Sequence, residues 1–105
     1  MASIISDGSK IIGGNQTLTC YATRADNVTG NVNLQWIRPD GKEVMTTEFV
    51  AVGVPTTSGA TTSLSLQFTD LHTSNGGQYT CLCELVSNGE TLSVSVTSDV
   101  IVHGM

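Results

Sequence analysis

Apolar and polar residues alternate with a period of two along five short segments of the chain. Such alternation predicts β-strands that bury one face and leave the other in water, as antiparallel strands at the surface of a core do. The apolar positions carry Leu, Val, Cys and aromatic side chains, whereas Ser, Thr, Asn and Gln fill most of the positions between them. The segments are residues 17–22, 31–36, 63–68, 78–83 and 91–96.

Turn-forming residues separate these segments. Pro39-Asp40-Gly41 follows the second segment, Asn75-Gly76-Gly77 precedes the fourth, and Ser87-Asn88-Gly89 lies between the last two, where Asn-Gly is a strong hairpin signal. Residues 43–54 form a weaker strand region, residues 54–62 form a loop of small residues, and no stretch has helical periodicity. The pattern predicts an all-β fold, an antiparallel sandwich of two sheets.

Length and charge narrow the class of protein. A chain of 105 residues predicts one domain, residues 1–105, with a core over about residues 10–102. The net charge is −5 and only four residues are basic, so no positive patch can form, which excludes nucleic-acid binding and basic membrane-surface modules. No signal peptide follows Met1 and no run reaches the length of a membrane span, so we expect a module cut from a longer protein, with an added initiator Met.

Cysteine, tryptophan and tyrosine stand at specific places in this pattern. Cys20 lies in the first alternating segment and Trp36 in the second, and Leu66-x-Phe68-x-x-Leu71 leads into Asn75-x-Gly77-x-Tyr79-x-Cys81. In these residues the chain resembles the immunoglobulin superfamily, whose members carry a Cys on strand B, a Trp on strand C and Tyr-x-Cys on strand F. The resemblance covers roughly residues 10–102 and implies an immunoglobulin-like sandwich.

The resemblance also implies roles for individual residues. Cys20 and Cys81 would form a disulfide between the two sheets, and Trp36 would pack against it. Tyr79 would form a tyrosine corner, with its hydroxyl bonded back to the chain, and Leu66 would lie in the core. In the chain-entropy model a bridge that closes a loop of this length stabilises the fold by about 4 kcal/mol. The alternative is a pair of buried thiols in a cytosolic β protein, which would leave the Trp and Tyr positions as coincidence.

Spacing favours the intermediate set of the superfamily, with some variable-set features. Cys20 and Trp36 are 16 positions apart, which indicates a long loop between strands B and C. Trp36 and Cys81 are 45 positions apart, which is short for a variable domain with its two extra strands. Three positions depart from the family pattern, and one of them is Cys83, where the family often has a small residue such as Ala. Asn75 replaces the usual Asp, which puts that residue's salt bridge to an Arg in doubt, and Gln16 occupies a position that is normally apolar.

Cys83 is left over when Cys20 and Cys81 pair. One interpretation is an intermolecular disulfide or a redox site. The other is a small buried hydrophobic residue, since free Cys is among the most buried residue types. The inward phase of Cys83 in its segment favours a buried free thiol. No metal site is predicted, because no second thiol pair lies nearby and because His72 and His103 lack ligand spacing.

Two triplets match the N-glycosylation pattern, Asn15-Gln16-Thr17 and Asn27-Val28-Thr29. Asn15 precedes strand B and Asn27 lies in the loop after that strand, so both are candidate glycosylation sites. Such triplets also occur by chance in a Thr-rich chain. Together with a disulfide they favour an extracellular origin.

The sequence carries no recognisable nucleophile motif and its acids are scattered in turns, so neither an enzyme activity nor a cofactor is predicted. The resemblance implies an extracellular binding module from a membrane-anchored animal receptor or adhesion molecule, with an invertebrate receptor tyrosine kinase among the candidate parents. The partner would be a protein, a second copy of the domain being one candidate, and residues 24–31 and 87–90 would be the contact surfaces. The alternatives are a structural spacer without a ligand and a redox domain that uses Cys83.

Overall fold

The computed structural model describes residues 2–6, 8, 10–24, 30–87 and 89–104. These residues form ten β-strands and one short 3-10 turn at Thr73–Asn75, and no helix among them has the length and apolar character needed to cross a bilayer. The strands are β1 (Ala2–Ser6), β2 (Lys10–Ile11), β3 (Gln16–Thr23), β4 (Asn31–Ile37), β5 (Val50–Val52), β6 (Thr56–Ser58), β7 (Thr61–Phe68), β8 (Gly77–Ser87), β9 (Glu90–Val100) and β10 (Val102–His103).

The strands form two layers. One sheet has the order β1-β3-β7-β5, with β6 also paired to β7, and the other has the order β4-β8-β9. All of these pairs are antiparallel, whereas β10, which follows β9 after one residue, pairs in parallel with β2. A disulfide joins β3 to β8. The predicted fold class, an all-β antiparallel sandwich with an inter-sheet disulfide, is confirmed.

The inward faces of β3 and β7 carry the centre of the core. Burial alternates along both strands, and Leu18 lies directly opposite Leu66, with both side chains fully buried. Neighbouring inward side chains on one face of an antiparallel pair stabilise each other through direct contact. The alternation seen in residues 17–22 and 63–68 therefore predicts both the strands and the face that each of them buries.

Four strands were not predicted from the pattern, namely β1, β2, β6 and β10. β1 contains Ile4 and Ile5 in succession, so its sequence does not alternate. It forms by backbone pairing with the free edge of β3, where Ile4 lies opposite Cys20. Residues 54–62, predicted as a loop, contain β6, which folds back on β7 in a hairpin. The weaker strand region at residues 43–54 contains one three-residue strand, β5, and a single bridge between Ile37 and Glu43.

One apolar face is oriented as predicted but is not buried. Leu92 and Val94 of β9 point to the inner side of their sheet, opposite Leu85 and Cys83 of β8, yet they are 63% and 51% exposed. From the disulfide, β3 continues three residues to its end at Thr23, whereas β8 continues six residues to Ser87. The hairpin of β8 and β9 therefore extends past the facing sheet. The expectation that the apolar side of residues 91–96 lies in the core is wrong for its first half.

Candidate functional site

The disulfide lies at the centre of the sandwich. Cys20 and Cys81 are both fully buried, their sulfurs are 2.07 Å apart and their Cα atoms 6.4 Å apart. Trp36 on β4 lies directly opposite Cys81 in the ladder with β8, and its indole N–H donates a 3.2 Å hydrogen bond to the carbonyl oxygen of Leu64 in the facing sheet. Trp36 thus links the two layers by a polar contact beside the covalent one, and its buried N–H has the partner that burial requires.

Tyr79 forms a tyrosine corner. Its hydroxyl donates a 2.8 Å hydrogen bond to the backbone carbonyl of Asn75, and its ring meets Phe68 edge to face with the centroids 5.2 Å apart. Burial raises the pKa of Tyr79 above its ordinary value, with a smaller opposing effect from the positive charge of Arg38. A neutral hydroxyl that donates a hydrogen bond is the form this environment favours.

Asn75 fills the position where the family pattern has Asp, and its side chain has a different role. The Oδ1 atom of Asn75 accepts a 2.7 Å hydrogen bond from the backbone N–H of His72 and so closes the 3-10 turn. Arg38 instead pairs with Asp40, at 3.1 Å, within the exposed turn that follows β4. Because both ends of that pair are in water, it contributes little to stability.

Cys83 lies beside the disulfide. Its side chain is 7% exposed, and its sulfur is 4.0 Å from the sulfur of Cys20 and 3.9 Å from that of Cys81. Burial raises the pKa of the Cys83 thiol above its ordinary value. The three sulfurs are close enough to surround an ion, but two of them are bonded to each other, so Cys83 alone offers a thiol in the oxidised protein.

An apolar groove opens where the hairpin of β8 and β9 extends past the facing sheet. Its volume is about 250 Å³, and Cys83 is part of its lining. Its apolar walls come from both layers, at the level where β1 and β3 reach their ends while β8 and β9 continue. The apolar side chains of the lining are Ala2, Ala22, Val32, Leu85, Leu92 and Val94, and Thr23, Arg24 and Glu84 complete it.

The two predicted contact segments meet at this end of the sandwich. Gly30, from the first segment, lies against Val86 and Ser87 so closely that a Cβ atom on it would overlap the carbonyl oxygen of Val86. Residues 25–29 and residue 88 lie outside the described residues, so only the ends of each segment are placed. The candidate glycosylation site Asn27 also lies outside them. Asn15 is exposed just before β3, and its use as a glycosylation site stays a prediction.

The outer edge of β9 faces away from β8. Among the described residues no strand pairs with this edge, although β1 lies close to it. Residues 91–98 carry no charged side chain, and Glu90 and Asp99 stand at their two ends. The sequence pattern did not reveal this surface or the groove beside it, since both depend on where the facing sheet ends.

Comparison with known proteins identifies the family. The model of the immunoglobulin domain family matches residues 7–94. The chain belongs to the immunoglobulin domain family. The domain packs a five-stranded sheet on a three-stranded one. Without β6, the strand orders β1-β3-β7-β5 and β4-β8-β9 form the seven-strand layout described for this family. Members of this family serve in general as binding modules rather than enzymes.

Solved structures share the fold, and 167 chains among them match the domain. One belongs to the crystal structure of Dpr2 Ig1-Ig2 in complex with DIP-Theta Ig1-Ig3, with a TM-score of 0.65 and 14% sequence identity over 99% of this chain. The domain covers 32% of that solved chain, or about a third of its length. At this identity the similarity shows the fold alone. No curated protein matches the sequence.

Proposed function

We propose that this immunoglobulin domain is an extracellular binding module of a membrane-anchored receptor or adhesion molecule, and that it binds a second copy of itself. The observation that carries the proposal is the surface made by the apolar groove and the outer edge of β9. Leu92 and Val94 are exposed there beside a strand edge without a partner among the described residues. Exposed apolar side chains next to an unpaired edge are typical of a protein–protein contact.

The chemistry of this surface suits a protein partner. Residues 91–98 alternate apolar side chains with hydroxyl side chains and carry no charge, so an extended segment of another chain can form backbone hydrogen bonds to β9 without burying a charge. The groove receives apolar side chains from the same partner. With a net charge of −5, the domain gives no support to a nucleic-acid partner.

A second copy is the partner that the charge pattern favours. Two domains with a net charge of −5 repel each other over most of their surfaces. The uncharged stretch at residues 91–98 is where two copies approach without placing acids opposite each other. A solved structure with the same fold is that of Dpr2 Ig1-Ig2 in complex with DIP-Theta Ig1-Ig3, and a contact between Ig domains there supports a partner with an Ig domain here.

The test is the molecular mass of the domain in solution as a function of concentration, by sedimentation equilibrium. We expect the domain to associate, Val94→Lys to abolish association, and Gln67→Lys to leave it unchanged. Gln67 is exposed on β7 in the other sheet, so this variant carries the same added charge away from the surface. A domain that stays monomeric at millimolar concentration contradicts binding between copies.

The alternative is a spacer domain with no ligand of its own. Replacing the domain in its parent protein by an unrelated immunoglobulin domain distinguishes the two functions. Loss of partner binding supports a binding module, and unchanged partner binding supports a spacer.

A further inference from the structure

Three sulfurs meet in the core, although a disulfide needs only two. Cys81 and Cys83 are two residues apart on β8, so both side chains point inward, and Cys20 faces both of them from β3. The sulfur of Cys83 is 4.0 Å from that of Cys20. A disulfide requires about 2 Å between sulfurs, so the two sulfurs of this pair would have to approach each other by about 2 Å to bond.

We infer that Cys83 is a second disulfide partner for Cys20, so that the domain has two covalent isomers. In the exchange, the Cys83 thiolate attacks the sulfur of Cys20, the Cys20–Cys83 bond forms and the Cys20–Cys81 bond breaks. Cys81 leaves as a thiolate and takes up the proton that Cys83 lost. No oxidant or reductant is consumed, because one disulfide and one thiol are present before and after. This inference does not depend on the proposed function.

In the native structure the geometry does not favour this exchange. The sulfur of Cys83 is nearly equidistant from the two bonded sulfurs, at 4.0 and 3.9 Å, so it lies beside the bond rather than on its extension. Attack on a disulfide proceeds along the line of the bond that breaks. Burial also raises the pKa of Cys83 and keeps it in the unreactive thiol form. Exchange therefore requires the sandwich to open locally.

The groove at the end of the sandwich is where such opening begins. Cys83 is part of its lining, and the hairpin beside it lacks the cover of the facing sheet. Segments with few buried contacts open at the lowest free-energy cost. The second isomer would move the covalent link two residues along β8, from the level of Trp36 to that of Leu34, which lies opposite Cys83. The link would then be next to the surface proposed for binding.

The decisive variant is Cys81→Ala, secreted into an oxidising compartment, with Cys83→Ala as its matched control. We expect both variants to fold with a disulfide between β3 and β8, through Cys20–Cys83 in the first and Cys20–Cys81 in the second. Peptide mapping without reduction reads the pairing directly, since each variant has only one possible partner for Cys20. If the Cys81→Ala domain folds and, after denaturation without reduction, both remaining thiols react with N-ethylmaleimide, the inference is overturned.

A second measurement covers the case in which Cys81→Ala does not fold. The unaltered domain is held at pH 8.5 in urea below its unfolding transition. Exchange is then quenched at mildly acidic pH, and the free thiols are labelled with N-ethylmaleimide after full denaturation. Cleavage after Leu82 separates Cys81 from Cys83 in the peptide map. We expect the label on Cys81 in a fraction of molecules that grows with time, and on none in the absence of urea. If Cys81 is never labelled while the domain keeps its native circular dichroism, the inference is wrong.

Discussion

The hydroxyl of Tyr79 is bonded to the backbone carbonyl of Asn75, while the side chain of Asn75 accepts a hydrogen bond from the backbone of His72. Asn75 thus joins the start of β8 to the 3-10 turn that precedes it. The connection from β7 to β8 crosses from one sheet to the other, so these two hydrogen bonds fix the path of the chain at the end of the sandwich opposite the groove.

Removing the Tyr79 hydroxyl tests this connection. We expect Tyr79→Phe to lower the free energy of unfolding by about 1 kcal/mol, because a part-buried hydrogen bond is lost and the Asn75 carbonyl is left without that donor. Urea denaturation measures the change as a lower midpoint with an unchanged slope. Tyr21→Phe, which removes the same atom from the outward side of β3, is the control. Equal midpoints for the two variants would contradict the role of the corner.

The same hydroxyl predicts a loss of stability at alkaline pH. Because the folded protein raises the pKa of Tyr79, the unfolded chain ionises first, near pH 10. The contribution of Tyr79 to stability is therefore complete below that pH and is lost as the pH rises through the higher pKa of the folded state. Burial also raises the pKa of Cys83, so Cys83 would add its own loss of stability at alkaline pH. The comparison is therefore made in a Cys83→Ala background. Between pH 9 and 11 we expect the free energy of unfolding to fall more steeply with Tyr79 than with Phe at this position.

Cys83 is expected to be inert in the folded domain. Its burial and raised pKa leave little accessible thiolate, so an aromatic disulfide reagent should label it only after denaturation. An exposed thiol introduced as Ser93→Cys in a Cys83→Ala background provides the control for reagent activity. Labelling of the native domain at a rate similar to that of the control would show that the thiol is accessible.

Gly30 is expected to tolerate an added side chain poorly. Its φ of +143° is a conformation that other residues rarely adopt, and an added Cβ would overlap the carbonyl oxygen of Val86. We expect Gly30→Ala to cost roughly 1–3 kcal/mol, the usual effect of forced overpacking. Thermal unfolding measures it against Gly104→Ala, where an added Cβ meets no neighbour within 4 Å. A melting temperature equal to that of the control would mean that the loop moves aside without cost.

The alternating pattern predicted the strands at the centre of the fold because burial there follows local periodicity. Leu18 and Leu66 lie on faces that the period of two assigns, and Cys83 has the inward phase predicted for it. The resemblance supplied what periodicity does not contain, the pairing of Cys20 with Cys81. The edge strand β1 escaped prediction because its pairing depends on β3, which is distant along the chain.

The sequence by itself determined which residues alternate, which turns separate them and which family's residues stand at the key positions. Only the tertiary structure decided that Leu92 and Val94 remain in solvent, that Asn75 closes a turn and that Cys83 lies beside both bonded sulfurs. The physical reason is that a strand's phase is a local property of the backbone, whereas burial and distance depend on where the facing sheet begins and ends.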